Sequence, residues 1–291
     1  YGPVLRRLVR EAGDILASQD GERLNLPDWL WKRWVSAYGE TTVRAIVARH
    51  LAEPPLDITL KPDEEKAAWA ERLGAQILPT GTLRRPIGGR IEELPGFADG
   101  VWWIQDAAAA LPARLLGDVA GKSVYDLCAA PGGKTAQLAA ADARVTAVDR
   151  SAVRLAVTEA NLRRLDLTAR FIVADALAWT PSDGQADAVL VDAPCTATGT
   201  MRRHPDVALG KSPQDLVQLV RLQSALLDRA ARLVRPGGTL VYCTCSLEPE
   251  EGEAQVARLL DANRQFGRLP IQAAEVGGLA EAVTSKGELL A

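Results

Sequence analysis

Between residues 123 and 243 short β-rich runs alternate with helical stretches, and this alternation restricts the fold more than any other feature of the chain. The runs fall at 124–127, 144–148, 170–173, 188–192 and 239–243. Strands separated by helices pair in parallel through crossover connections, which builds a mostly parallel, doubly wound α/β sheet. In such a sheet ligands sit outside the carboxyl ends of the strands. The residues just past each run are therefore the ones to read for chemistry.

A chain of 291 residues is long for one ordinary domain, and the segment before the alternating region has its own patterns. Over residues 4–50 apolar positions recur at helical spacing, broken at Asn25-Leu26-Pro27-Asp28, where Pro27 marks a helix start. Trp29, Trp31 and Trp34 come after that break beside Lys32 and Arg33. Aromatics interleaved with basic residues can stack on nucleic-acid bases, but core packing is the reading carried forward, because tryptophan chiefly serves buried surface. Pro54-Pro55 closes the helical region. Leu56-Asp57-Ile58-Thr59-Leu60 then alternates as a strand, 62–73 reads as a helix with Asp63, Glu64 and Glu65 in its first turn, and Gln76-Ile77-Leu78 is strand-like before a Gly/Pro-rich stretch at 81–96. The expected division is a helical segment at 1–51, a small α+β insert at 52–100 and a catalytic domain at 101–291.

Hydrophobic residues at 47% and charged residues at 24% describe a globular chain rather than a disordered one. No apolar run approaches the roughly 20 residues of a bilayer span. Tyr1 is not followed by a charged-then-apolar leader, so a cytoplasmic setting is expected. The four cysteines, Cys128, Cys195, Cys243 and Cys245, lack metal-finger spacing and are too few for a disulfide framework. They are expected as reduced thiols. No metal is expected either, because His50 and His204 lie far apart and neither has ligand-like neighbours. The formal net charge of −3 argues against coating nucleic acid by bulk electrostatics. Local basic clusters at Arg6, Arg7 and Arg10, Lys32 and Arg33, Arg84, Arg85 and Arg90, Arg163 and Arg164, and Arg202, Arg203 and His204 would have to do that work. Any single cluster reads more simply as a solvated face.

The first run ends in Asp126-Leu127-Cys128-Ala129-Ala130-Pro131-Gly132-Gly133-Lys134-Thr135, a turn of small residues that lets a ligand approach the backbone. A phosphate loop would need glycine where Cys128 stands, and no Gly-x-Gly-x-x-Gly fits the turn, so neither familiar nucleotide fingerprint applies. Asp149 closes the second run about twenty residues past the turn, where a carboxylate can accept both hydroxyls of a ribose. Asp175 lies just after the third run and can accept from an adenine amino group. Each aspartate alone reads as a loop cap; in order at successive strand ends they fit an adenosine with a compact charged tail, S-adenosylmethionine.

The fourth run leads into Asp192-Ala193-Pro194-Cys195-Thr196 and the fifth into Cys243-Thr244-Cys245-Ser246, so two cysteines are expected to converge on the ligand edge. Cys128 and Cys243 read as small buried hydrophobes. Carbon 5 of a cytosine is a poor nucleophile until something adds to carbon 6, and a thiolate is suited to that addition. A base must then remove the carbon 5 proton. Asp192 is placed to hold the amino and ring-nitrogen edge of the base.

These motifs resemble the RsmB-type (Nop/Sun) RNA cytosine-C5 methyltransferases. The stretch Asp126 through Thr135 looks like the family's first cofactor motif, Val191-Asp192-Ala193-Pro194-Cys195 its fourth, and Tyr242-Cys243-Thr244-Cys245-Ser246 its nucleophile motif. The resemblance implies a Rossmann-like class I methyltransferase domain, Cys245 as the nucleophile and Cys195 as the residue that helps to release the product. It implies S-adenosylmethionine contacts from Cys128, Ala129, Ala130, Pro131, Gly132, Gly133 and Lys134, and from Asp149, Asp175 and Asp192. Gln105-Asp106 and Met201-Arg202-Arg203-His204-Pro205-Asp206 also look familial and are expected to face the substrate. The helical stretch 24–40 is most similar to the bacterial branch, which modifies small-subunit ribosomal RNA and carries a NusB-like domain ahead of the catalytic part. Residues 4–10 resemble only the closing helix of that domain, and Leu289-Leu290-Ala291 stands where the family has a strand with an aromatic pair, so a fragment of a longer protein is expected. Thr196-Ala197-Thr198-Gly199 departs from the serine and glycine of many members, a change the loop is expected to tolerate.

The expected partner is RNA, small-subunit ribosomal RNA first and transfer RNA as the alternative, bound by a monomer, with the insert at 52–100 as the RNA-binding part together with the basic clusters. Two rivals share part of the pattern. A methyltransferase acting on protein, DNA or a small molecule has the same fold but needs no pair of cysteines of this kind, and DNA carbon-5 enzymes usually carry their nucleophile in the Pro-Cys motif. A decayed, non-enzymatic RNA-binding factor would have lost cofactor or nucleophile residues, and none is lost.

Overall fold

The structure, a computed structural model, describes residues 1–290; Ala291, the last residue of the expected catalytic domain, lies outside them. Helices α1 (Gly2–Ala17), α2 (Gly21–Leu24), α3 (Asp28–Tyr38) and α4 (Glu40–Leu51) form the expected helical segment. Pro27 stands immediately before α3, and Gly39 at φ 78° breaks the chain between α3 and α4. Leu30, Trp34, Val43 and Val47 face one another across these two helices and pack on Met201 and Ala208, which lie far along the chain. Of the three tryptophans Trp34 is fully buried, while the Trp31 ring lies between the guanidinium groups of Arg23 and Arg44 at 5.1 and 5.2 Å. The aromatic cluster thus serves packing and cation–π contact within the protein.

The insert comes next as β1 (Leu56–Leu60), α5 (Lys66–Leu73), β2 (Gln76–Ile77), β3 (Leu83–Arg85) and β4 (Trp102–Ile104), a four-stranded sheet in the order β2-β3-β1-β4. Its edge strand lies just past residue 100, so the sheet closes slightly beyond the boundary read from composition; the Gly/Pro-rich stretch is an excursion inside the insert. Two further details differ from expectation. Glu65 caps α5 by accepting from the backbone N–H groups of Ala67 and Ala68, so Asp63, Glu64 and Glu65 precede the helix rather than occupying its first turn. β1 is buried along its whole length despite its alternation, because Asp57 is matched by an internal partner. Arg84 on the neighbouring strand donates Nε and Nη2 to the two Asp57 oxygens at 2.7 Å each, and Ala107 N donates to Asp57 Oδ2 at 3.0 Å. The carboxylate thereby ties the small sheet to the entry of the catalytic domain.

That domain comprises α6 (Leu111–Arg114), β5 (Ser123–Leu127), α7 (Gly133–Ala140), β6 (Arg144–Asp149), α8 (Ala152–Arg164), β7 (Arg170–Val173), β8 (Ala186–Asp192), α9 (Val207–Gly210), α10 (Pro213–Leu233), β9 (Val234–Cys243) and α11 (Glu253–Ala262). The five strands are all parallel and lie in the order β7-β6-β5-β8-β9. All five runs read from the sequence are present, with β8 and β9 starting earlier than expected. The α/β architecture with a parallel five-stranded sheet is that of a Rossmann-like methyltransferase domain. The strand order reverses between β5 and β8, which places the ligand crevice outside their carboxyl ends. Leu127, Val189 and Val191 are fully buried beneath it. Among the described residues, no helix is long and apolar enough to cross a membrane.

Replacing Asp57 by alanine leaves Arg84 half-buried without its partner and Ala107 N without an acceptor. A loss of stability on the order of 3 kcal/mol is expected, read as a fall in the urea midpoint with an unchanged slope; an unchanged midpoint would show that the pair carries no net stability.

Candidate active site

Asp126, on β5, is completely buried, and its Oδ2 accepts from Thr135 Oγ1 at 2.6 Å while Oδ1 has no partner among the described residues. Burial pushes its carboxyl up to about 7, against the Thr135 hydrogen bond and Lys134, with Asp192 and Asp149 adding to the rise. The chain then turns through Cys128 in the left-handed region, φ 62°. Ala129 N donates to Val148 O at 3.1 Å, Ala130 N to Asp149 Oδ2 at 3.1 Å, and Arg154 donates to Ala130 O. These contacts lay residues 128–131 across the end of β6. Gly132 has φ 95°, and a Cβ there would stand 2.2 Å from Thr158 Cγ2, so glycine is required both by the backbone and by the approach of α8. No side chain caps α7, which leaves its first-turn N–H groups to meet an anionic ligand group.

The acidic residues differ in what they can offer. Asp149 is buried and already accepts from Ser151 N and Ala130 N, one bond to each oxygen, which leaves lone pairs for a diol. Asp175 is exposed just past β7, where one oxygen caps the turn by accepting from Leu177 N at 2.9 Å. Asp192, at the end of β8, accepts from Lys134 Nζ at 2.8 Å. Burial alone would lower the Lys134 ammonium, but Asp192 beside it raises it above the ordinary range. The cradle thus holds Asp126, Asp149 and Asp192 beside Lys134, with Arg154 anchored on Ala130 O and Arg150 acting on Cys128. An open turn with a glycine-dependent backbone, an uncapped helix start, an available diol acceptor and an acidic surround fit S-adenosylmethionine.

The two motif cysteines meet beside this cradle. Parallel pairing of β8 and β9 puts Asp192 opposite Cys243, so the loops beyond them run side by side. Cys195 Sγ lies 3.4 Å from Cys245 Sγ. The hydrogen bond with Cys195 holds the Cys245 thiol below its ordinary value in spite of burial, with Lys134 assisting, whereas the same contact together with burial pushes the Cys195 thiol up. Cys245 is the exposed member of the pair. Burial pushes the other two thiols up, Cys128 to about 12 and Cys243 well above the usual range, Asp192 contributing to both. Both are partly buried and pack against the core clusters, where the sequence reads them as small buried hydrophobes. Among the described residues no group of three or more His, Cys, Asp or Glu side chains is arranged to hold a metal.

The other familial segments fasten the site rather than line it openly. Gln105 is buried, accepts from Trp103 Nε1 at 2.8 Å and donates to Gln137 Oε1 at 2.6 Å, with its side chain against Gly133. Arg203 binds Asp106 at 2.8 Å and donates to Pro55 O, Arg202 donates to Glu53 O, and Met201 is buried among the N-terminal helices. His204, Pro205 and Asp206 are exposed. Several members of the basic clusters are likewise engaged inside the protein. Arg164 donates to Phe97 O and Trp102 O, and Arg33 to Glu248 and Glu250.

Sequence reasoning missed the acidic stretch after Cys245. Glu248 and Glu251 are buried to 1% and 0% exposure. Glu248 accepts from Arg33 Nε at 2.8 Å and Trp34 Nε1 at 2.7 Å, and Tyr38 donates to Leu247 O, so α3 grips the loop just past the thiol. Glu251 accepts from Thr196 and Gln223. The run Glu248-Pro249-Glu250-Glu251 reads as a solvated loop, and no spacing in it marks two of its carboxylates as internal.

Against known proteins, the family described as 16S rRNA methyltransferase RsmB/F matches residues 113–290. A probable ribosomal RNA small subunit methyltransferase B of Synechocystis is 34% identical over 97% of this chain and 68% of its own length. The ribosomal RNA small subunit methyltransferase B of Vibrio cholerae is 36% identical over 89% of this chain and 63% of its own length. The chain thus spans about two thirds of these curated relatives. A crystal structure of a methyltransferase homologue from Pyrococcus horikoshii is similar with a TM-score of 0.72 and 28% identity, covering 88% of this chain and 87% of that one.

The thiol environments lead to a definite order of reactivity. With limiting iodoacetamide at neutral pH, Cys245 is expected to be alkylated first, Cys195 far more slowly, and Cys128 and Cys243 only on unfolding; peptide mass spectrometry reads the order, and preferential modification of Cys195 would reverse the assignment.

Proposed function

Because the chain belongs to the 16S rRNA methyltransferase RsmB/F family, a family of S-adenosylmethionine-dependent methyltransferases, we propose that it methylates carbon 5 of a cytosine in RNA, with small-subunit ribosomal RNA as substrate, through a covalent bond from Cys245 to carbon 6. The observation that carries this reading is the contact of Cys195 and Cys245 at 3.4 Å beside the adenosine cradle. A nitrogen or oxygen acceptor would use neither thiol.

S-adenosylmethionine, when bound, supplies the electrophilic methyl group and a positive charge near the thiols. The Cys245 thiolate adds to carbon 6, and the electron pair of the 5,6 double bond moves onto carbon 5, which takes the methyl group. Asp192, oriented by Lys134, accepts from the amino group of the cytosine and supports positive charge along the ring-nitrogen edge as the adduct forms. Carbon 5 then carries both a proton and the new methyl group. A base, a second thiol or an ordered water, takes that proton, its electron pair returns to the 5,6 bond and the Cys245 thiolate is expelled; Cys195, in contact with the adduct sulfur, is placed to assist this release. Cys128 to Lys134, Asp149 and Asp175 hold the cofactor in this scheme. The cytosine must leave its stack to reach the thiol, which favours loops or opened helices of the RNA.

Transfer of labelled methyl groups to ribosomal and transfer RNA, with subsequent nucleoside analysis, tests the proposal. Methylation yielding 5-methylcytosine is expected, falling on the order of 10³-fold or more in Cys245→Ala, while Cys195→Ala accumulates a covalent RNA adduct. Label in transfer RNA alone would replace the substrate, and undiminished transfer by Cys245→Ala would overturn the nucleophile.

A further inference from the structure

Cys195 and Cys245 sit on separate loops, at the ends of β8 and β9, and sheet pairing stops at Asp192 and Cys243, before either thiol is reached. Something beyond the sheet must hold the loops in register. Backbone bonds contribute from Ala193 N to Cys243 O at 3.0 Å and from Gly199 N to Cys245 O at 2.9 Å. The residue next to Cys195 is held differently. Thr196 N donates to Glu251 Oε1 at 2.9 Å and Oε2 at 3.2 Å, and Thr196 Oγ1 donates to Oε2. Gln223 Nε2, from α10, donates both to Glu251 Oε1 at 2.8 Å and to Pro194 O at 2.9 Å, bracketing Cys195 from its other side. Tyr242 OH, from the strand that carries the Cys245 loop, donates to Glu251 O at 2.7 Å. Glu251 is therefore fastened through its carboxylate to the Cys195 loop and through its carbonyl to β9.

We propose that Glu251 is the positioning residue of the thiol pair: its buried carboxylate clamps the Cys195 loop against the Cys245 loop and keeps the proton the two sulfurs share on Cys195. Every side-chain contact of Glu251 is one that its carboxyl oxygens accept. The charges around the pair are few. Lys134 and Asp192 face Cys245, Glu251 faces Cys195, the neutral Tyr242 phenol lies alongside, and Arg258 stands beyond it on α11. The contact with Cys245 and burial oppose ionisation of Cys195, and the negative charge behind it adds to them, so the proton stays there and the exposed sulfur of Cys245 is left as the nucleophile. Thr196 is part of the same device, since its hydroxyl also lies 3.0 Å from Ser246 Oγ, next to Cys245. The inference rests on the two-cysteine reading of the site but concerns thiol chemistry that needs neither RNA nor cofactor.

The test is competitive alkylation of the whole chain with iodoacetamide across neutral pH, reading the ratio of modification at Cys245 to that at Cys195 by peptide mass spectrometry. Glu251→Gln keeps the shape and removes the charge. Its ratio at neutral pH is expected to fall about tenfold, as a one-unit relative shift between the thiols implies, with thermal unfolding and circular dichroism verifying that the protein is folded. Glu251→Asp, which restores charge on a shorter arm, is expected to recover part of the ratio. Thr196→Val leaves the carboxylate in place and removes one donor, so it serves if Glu251 variants do not fold, and a smaller fall is expected. An unchanged ratio in folded Glu251→Gln, or in Thr196→Val should the former not fold, overturns the proposal. Failure of methylation in the wild-type chain with the alkylation contrast intact would count against the RNA reading and leave the role of Glu251 standing.

Discussion

Everything at this site depends on the parallel pairing of β8 with β9. That register alone brings Asp192 level with Cys243, and the two loops it releases carry Cys195 and Cys245 to within contact of each other. A parallel ladder fixes where its strands end but not the path the chain takes beyond them, so the last few ångströms fall to groups outside the sheet. Buried carboxylates supply them. Glu251 binds the Cys195 loop, and Glu248 binds the Cys245 loop to α3. Such groups are stable inside a protein only when fully matched by donors, and the donors come from Thr196, Gln223, Arg33 and Trp34.

The cofactor side carries carboxylates of its own. Among the described residues Asp126 keeps one oxygen without a partner, while Asp149 accepts from two backbone N–H groups and Asp192 from Lys134. Burial pushes the Asp126 carboxyl up to about 7, and a cationic ligand beside it would favour its charged form. The Glu251 carboxylate thus serves geometry on the thiol side, while the open oxygen of Asp126 lies on the other side of the site.

Much of this was legible in the sequence, and the part that was not has a physical cause. The five strands and their parallel arrangement come from periodicity, and the loop at 128–134 and the two cysteine loops come from their place at strand ends. Hydrophobic pattern reports which faces are apolar, so it is silent where a polar side chain is buried by a partner far along the chain. Asp57 made β1 look half-exposed, yet Arg84 and Ala107 N let it lie inside. Glu248 and Glu251 carry no mark in the sequence, because their donors stand 214 and 55 residues away for Trp34 and Thr196. Arg202 and Arg203 looked ready to meet substrate, but the carbonyls of Glu53 and Pro55 and the carboxylate of Asp106 take them up.

The helical segment is consequently part of the framework that holds the two cysteine loops. Arg33, Trp34 and Tyr38 on a single helix hold residues 247–250, immediately past the thiol, and the same helices bury Met201 from the loop beyond Cys195. Both cysteine loops therefore rest on one hydrophobic wall contributed from the other end of the chain. Burying the indole of Trp34 contributes roughly 3 kcal/mol, and Met201 and Leu247 of the two loops share in that burial with the helical segment's own residues. A perturbation at α3 is then felt first as a change in the Cys195–Cys245 geometry, because the sheet that carries the loops is held by its own ladder while the loops themselves are not.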